Sequence, residues 1–232
     1  MSWATVARIG ATTIVVWSVA LQFLARGPIP PVAVIGVVFL AFIPFIDAGR
    51  RKLGIALAIV AMLSVSGNLP LILDELSHPA SAPAFILTLL SVLGAAIALA
   101  GGLGMFFGWD AGSGRRLVFG AGLVFAVGAF TSVSIATNTV SDGAQATDVE
   151  VLTQQVAFEP GNITIGAEDT GIWIDNRDGI RHTFTIPDLG IDLDVPALKS
   201  RRIDLDAAPG TYQIFCEVPG HESMTATLTV TG

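Results

Sequence analysis

The run Cys216-Glu217-Val218-Pro219-Gly220-His221-Glu222-Ser223-Met224 decides how the second half of this chain is read. It places a thiol, an imidazole and a thioether on either side of a Pro-Gly turn. Tyr212, Ile214 and Cys216 share one parity before it. Met224, Ala226, Leu228 and Val230 alternate with Thr225, Thr227, Thr229 and Thr231 after it. Period-two alternation marks half-buried strands. Cys216 therefore ends one strand, Met224 begins the next, and the turn gathers the donors at one end of a sheet.

Further short strands surround this pair. Candidates are Val149–Phe158, Asn162–Gly166, Gly171–Asp175, His182–Ile186, Ile191–Val195 and Ser200–Asp206. Turn signals separate them at Glu159-Pro160-Gly161, Asp178-Gly179, Ala208-Pro209-Gly210 and Pro219-Gly220. About eight strands within a single small domain predict an antiparallel sandwich over residues 148–232.

The donor set points to a metal. Two histidines and one cysteine in a plane, with a long, weak methionine bond, are the ligands of a type 1 (blue) copper site. His221 supplies one imidazole, and His182, heading its strand, is the one other histidine of the domain. Cys216 is the single cysteine of the chain, so no internal disulfide is possible. A thioether is a poor zinc ligand, although Cys and His alone also suit zinc. A dinuclear copper site needs a second cysteine. A multicopper oxidase or copper nitrite reductase needs several more histidines, and only His78 remains of the three. Cys216 as a plain buried residue and Met224 as plain core are the structural alternatives.

The same segments resemble the cupredoxin family, of plastocyanin and azurin type. Trp173 through Ile186 looks like the family's tryptophan, asparagine and first-histidine region, and Pro209-Gly210-Thr211-Tyr212 through Met224 looks like its ligand loop. The resemblance covers only the last 85 or so residues. It implies a Greek-key β-sandwich holding one copper, cycling between Cu(I) and Cu(II), on His182, Cys216, His221 and Met224. It also implies that Asn176 belongs to the loop positioning His182, and that His221 is the route for electrons. One departure is the spacing: two residues separate His221 from Met224, as in amicyanin-like loops, but the gap from Cys216 to His221 is longer. Glu217 or Glu222 at the axial position, or a nearly three-coordinate site, are the alternatives this leaves.

The first half is of another kind. Uncharged apolar stretches run over Ile9–Ala25, Gly27–Ile46, Leu53–Leu73, Leu76–Trp109 and Leu117–Ser141. A bilayer core needs roughly 20 helical residues, so residues 1–137 are expected to form a five-span helical bundle. The fourth helix is expected to start near Pro83, and Asn68 with Pro70 to bend the third. Arg50, Arg51 and Lys52, and then Arg115 and Arg116, fall in alternate loops, with Asp74 and Glu75 in the loop between them. Basic loops stay cytoplasmic, which predicts a cytoplasmic N-terminus and an extracytoplasmic C-terminal domain. Arg26 is the discordant charge, while Trp3 and Trp109 fall at the inner interface. Gly94, Ala98 and Gly102 in span four form a small-residue row suited to close helix packing within the bundle. No titratable group lies well inside a span, which argues against a proton or ion pathway and against a histidine-held haem.

Residues 138–147, small and polar, read as a linker. From Asp148 onward fourteen acids face five bases, against five acids and seven bases before it. Such an acidic domain is not expected to bind nucleic acid. The expectation is a membrane-anchored electron carrier rather than an enzyme, working with redox proteins at the outer face. Copper storage, sensing or delivery, with the bundle as a working part, is the alternative.

Overall fold

The computed structural model describes all residues except 26, 48, 167, 168 and 170, together with the side chain of residue 111 excepted. Arg26, the discordant charge, thus lies outside the described residues. The chain divides into two compact units, Met1–Leu76 with Phe85–Thr131, and Ser77–Ala84 with Ser132–Gly232.

The first unit is helical. Its elements are α1 (Trp3–Leu24), α2 (Pro30–Phe42, extended by a 3-10 turn over Ile43–Phe45), α3 (Arg51–Ser66), α4 (Leu69–Ser77), α5 (Ala82–Phe107) and α6 (Ala111–Asn138), the last two running on into the second unit. Ser2 caps α1 by accepting the Thr5 N–H. Three helices, Trp3–Leu24, Ala82–Phe107 and Gly112–Asn138, are long and apolar enough to cross a membrane. The third expected span is broken: α3 and α4 meet at 63°, at the Asn68 and Pro70 positions expected to bend it. The second is shorter than expected. Pro30 and Pro31 start it, because the first turn of a helix needs no proline N–H, and Pro44 tightens its end. Five spans therefore become three long helices, one bent pair and one short apolar helix. Asp74 and Glu75, expected in a loop, lie in α4. Arg115 and Arg116 lie in the opening turns of α6.

Small residues bring these helices together. A Cβ on Gly10 would stand 2.2 Å from the Ala98 backbone nitrogen, and one on Gly102 would stand 2.3 Å from the Gly54 carbonyl oxygen. The small-residue row of α5 is thus occupied by α1 and α3, as expected of packing within a bundle. Trp3 Nε1 donates to the Trp109 carbonyl at 2.9 Å and the two rings meet edge to face, so both tryptophans lie at one end of the unit. By contrast Phe119, Leu123, Val127 and Phe130 on α6 are exposed, an apolar surface of the kind that lipid or a partner covers.

The second unit is a two-sheet β-sandwich. Its strands are β1 (Asp148–Thr153), β2 (Phe158–Glu159), β3 (Asn162–Ile165), β4 (Gly171–Asn176), β5 (His182–Ile186), β6 (Ile191–Val195), β7 (Ser200–Asp204), β8 (Gly210–Phe215) and β9 (Thr225–Val230). One sheet runs β2-β1-β4-β7 and the other β3-β9-β8-β5-β6. The pairing is mixed rather than wholly antiparallel: β1 lies parallel to β4, and β3 parallel to β9. Parallel neighbours need a crossover between them, and here the intervening chain visits the other sheet. The single strand expected over Val149–Phe158 is two, because Gln155 and Val156 take left-handed backbone angles and turn the chain.

Alternate residues fill the space between the sheets. Val151, Ile172 and Ile174 from one face Phe184, Ile186, Ile214 and Leu228 from the other, all fully buried. Phe158 meets Phe184 edge to face at 5.7 Å, a favourable aromatic arrangement. Tyr212 closes the turn before β8 by donating to the Ala208 carbonyl. Thr183 and Thr185, on the other face of β5 from Phe184, are buried as well.

The expected linker is not free chain. The Asp142 N–H donates to the Ser200 carbonyl, and its carboxylate accepts the Arg202 N–H. The Ser141 hydroxyl accepts the Ser200 N–H, and the Val140 carbonyl accepts from Arg201. An edge strand such as β7 offers a row of unpaired backbone groups, and Ser141 and Asp142 take those of Ser200 and Arg202.

Candidate metal centre

Three buried donors converge at one end of the second sheet. His182 opens β5, Cys216 follows β8, and His221 sits on the turn leading to β9. Cys216 Sγ lies 3.9 Å from His182 Nδ1 and 3.6 Å from His221 Nδ1. All three donor atoms fall within 4.8 Å of one another. They form the one such group among the described residues. His78 belongs to no such group; its Nδ1 meets the Ser77 hydroxyl.

The ligand loop is closed by its own backbone. The Cys216 N–H donates to the Met224 carbonyl, the Met224 N–H to the His221 carbonyl, and the His221 N–H to the Val218 carbonyl. Gly220 has φ +88°, a left-handed conformation that glycine adopts without strain. The Glu222 carboxylate accepts the Gly220 N–H at 2.9 Å, and Glu217 is exposed. Both acids considered for the axial position are therefore occupied elsewhere or turned to solvent. Met224 is 1% exposed and stands where the loop rejoins the core.

The electrostatics favour a thiolate. Burial pushes the Cys216 thiol up, but hydrogen bonds with the His182 and His221 imidazoles and from the Thr183 and Val218 N–H groups bring it down to about 5. The Thr183 N–H reaches Sγ at 3.4 Å. His182 is fully buried; burial alone would lower its pKa, yet Asp178 and Cys216 raise it.

These residues fit copper. Bonds of about 2.0 Å to nitrogen and 2.3 Å to sulfur, at trigonal angles, set N···S separations of about 3.7 Å, close to the 3.9 and 3.6 Å present here. A thiolate, two imidazoles and a buried thioether are the type 1 set, and His182, Cys216, His221 and Met224 are arranged like such a site.

Residues 122–230 match the family model of the cupredoxin-like domain. The chain carries a cupredoxin domain. No curated protein matches it. Among solved structures, a reduced amicyanin variant is similar at 16% identity, over 38% of this chain and 86% of that one, with a TM-score of 0.33. The copper-containing nitrite reductase NirK of Thermus scotoductus is similar at 22% identity, over 41% of this chain and 26% of that one, with a TM-score of 0.32.

Other residues shape the cupredoxin site without having stood out in the sequence. Asn176 was placed by resemblance alone. Its amide donates to the Ile180, Val195 and Pro196 carbonyls, and its oxygen accepts the Asp178 N–H. The loop before His182 is thereby tied to the end of β6. Asp178 read only as a turn residue, yet its carboxylate meets His182 Nε2 at 2.9 Å. The four-residue spacing from Asp178 to His182 is the signal that was available. Thr183 lies on the other face of β5 from Phe184, and its hydroxyl accepts the Glu217 N–H.

Proposed function

We propose that the protein is an electron carrier, not an enzyme, whose cupredoxin domain holds one type 1 copper on His182, Cys216, His221 and Met224. The observation carrying this reading is the convergence of two imidazole Nδ1 atoms on a single buried sulfur. Copper in such a set supplies a one-electron couple between Cu(I) and Cu(II). The chain's own part is to hold the donors still. Thr183 and the loop backbone fix the sulfur, and Asn176 ties down the loop that leads to His182. His221, 8% exposed where His182 is fully buried, is the imidazole nearest solvent and the route for electrons to a redox partner.

The apolar helices anchor the domain in the cell membrane. The basic residues Arg50, Arg51, Lys52, Arg115 and Arg116 argue for a cytoplasmic N-terminus and so for a copper domain on the outer face. Tethering there confines the carrier beside membrane redox complexes. A second reading, copper storage, sensing or delivery, draws on the number of apolar helices, which is more than a simple anchor requires.

The test is to add Cu(II) to the purified full-length protein. An intense thiolate-to-copper band in the visible, reversible redox cycling, and loss of the band in Cys216→Ser are expected. Met224→Leu is expected to keep the band and raise the potential. A protein that binds copper without cycling reversibly overturns the carrier, and one that shows no band overturns the type 1 site.

A further inference from the structure

Three described residues other than glycine have positive φ: Gln155 at 55°, Val156 at 59° and Leu198 at 57°. All three direct their backbone N–H to one residue. Gln155 donates to Asp178 Oδ1 at 2.9 Å, Val156 to Oδ2 at 3.1 Å, and Leu198 to the Asp178 carbonyl at 3.1 Å. They come from two different turns, one between β1 and β2 and one between β6 and β7. A β-branched residue in this region is a genuine outlier. Such backbone persists only where its surroundings over-determine it, and it clusters at functional sites.

What this backbone holds is a carboxylate aimed at a ligand. Asp178 Oδ2 meets Nε2 of the fully buried His182 at 2.9 Å. An ionised carboxylate only accepts, so Nε2 carries the proton, and the neutral ring presents Nδ1 as its bare nitrogen. Nδ1 is the atom that faces Cys216. A carboxylate behind a metal-binding histidine fixes its tautomer and orientation and raises its basicity as a donor. The Asp178 N–H is held as well, by the Asn176 side chain, so neither its backbone nor its carboxylate is free to turn.

We propose that Asp178 is the positioning residue of the copper site, clamped by the Gln155, Val156 and Leu198 N–H groups so that its carboxylate orients His182 and lowers the reduction potential. This rests on the copper reading above. A more basic imidazole favours the higher oxidation state. Removing the negative charge while keeping the side chain's shape therefore favours Cu(I).

The experiment compares the full-length wild type with Asp178→Asn, and with Glu150→Gln as a control at an exposed site on β1. Copper loading, the visible band and the potential are measured for each. Asp178→Asn is expected to keep the band, to bind Cu(II) about tenfold more weakly, as outer partners of metal ligands do, and to raise the potential by about 59 mV, equal to a tenfold change in the relative affinity of the two oxidation states. Glu150→Gln is expected to leave the potential where it was. An unchanged potential in Asp178→Asn, or an equal rise in both variants, overturns the proposal. If Asp178→Asn fails to fold, nitrogen-15 NMR of the Cu(I)-loaded wild type decides. A slowly exchanging His182 Nε2–H supports the clamp, and a rapidly exchanging or absent one overturns it. A wild type without the band overturns the copper reading, and this proposal with it.

Discussion

Thr183 holds Cys216 at two points, through its backbone N–H and through its hydroxyl. Its N–H donates to Sγ at 3.4 Å, and its hydroxyl accepts the N–H of Glu217, the next residue along the ligand loop, at 2.8 Å. One buried residue of β5 thus helps to fix the thiol's position, and its N–H adds to the two imidazoles in favouring the thiolate. Thr183→Val keeps the shape but leaves the Glu217 N–H without its acceptor. A loss of about 1–3 kcal/mol is expected, measured by urea unfolding of the metal-free protein.

The thiol should titrate far below its ordinary range. In the metal-free protein Cys216 is expected to gain its thiolate absorbance in the ultraviolet as pH rises through about 5, against about 8.5 for a free cysteine. Because the folded value is the lower one, this group adds stability that is complete above the unfolded value and declines as pH falls toward 5. Cys216→Ser removes the transition. A thiol that stays protonated until pH 8 would contradict the arrangement.

Acid should act separately on Asp148. The Arg202 guanidinium meets both oxygens of its carboxylate and holds it below the usual carboxylate range, hydrogen bonding being the main cause. The contribution is therefore present above the ordinary carboxylate pKa of about 3.9 and is lost as pH falls through the lowered one. Asp148→Asn is expected to flatten this part of the acid limb in a series of unfolding curves.

Gly220→Ala tests the turn before His221. Nothing lies within 4 Å of the added Cβ, so only the left-handed backbone resists it. A cost of about 1–2 kcal/mol is expected, together with weaker Cu(II) binding as His221 shifts. Equal stability and equal affinity would show that the turn has another conformation to adopt.

The helical unit offers a steric test. At Gly10 an added Cβ meets backbone rather than a side chain that could turn away. Gly10→Val should force α1 from α5 and lower stability in detergent by at least the roughly 1–3 kcal/mol of an overpacked core. A thermal midpoint equal to the wild type's would mean that the two helices do not pack this closely.

Much of the candidate site was legible because its chemistry is local. Cys216, His221 and Met224 lie in one loop whose turn residues declare its shape, and His182 followed from being the domain's other histidine. Strand alternation was equally readable from Tyr212 to Cys216 and along β9. On β5 alternation gives the two faces but not their burial: Thr183 and Thr185 are buried too, because the period says which residues share a face and not what covers it. The break at Asn68 and Pro70 was visible in the residue types. The shortness of α2 was not, since the apolar stretch runs from Gly27 to Ile46 while the α-helix itself spans Pro30–Phe42.

The donor set, the two-part character of the chain and the strands that carry each ligand are written in residue type, period and turn chemistry, which act over a few neighbours. What surrounds the donors depends instead on how distant segments pack. Gln155, Val156 and Leu198 lie at least 20 residues from Asp178 in the chain, and nothing in their types announces a left-handed backbone. Their convergence on Asp178, like the bond from Thr183 to Cys216 across 33 residues, exists only once the sheets pack and leave each buried polar group to find a partner.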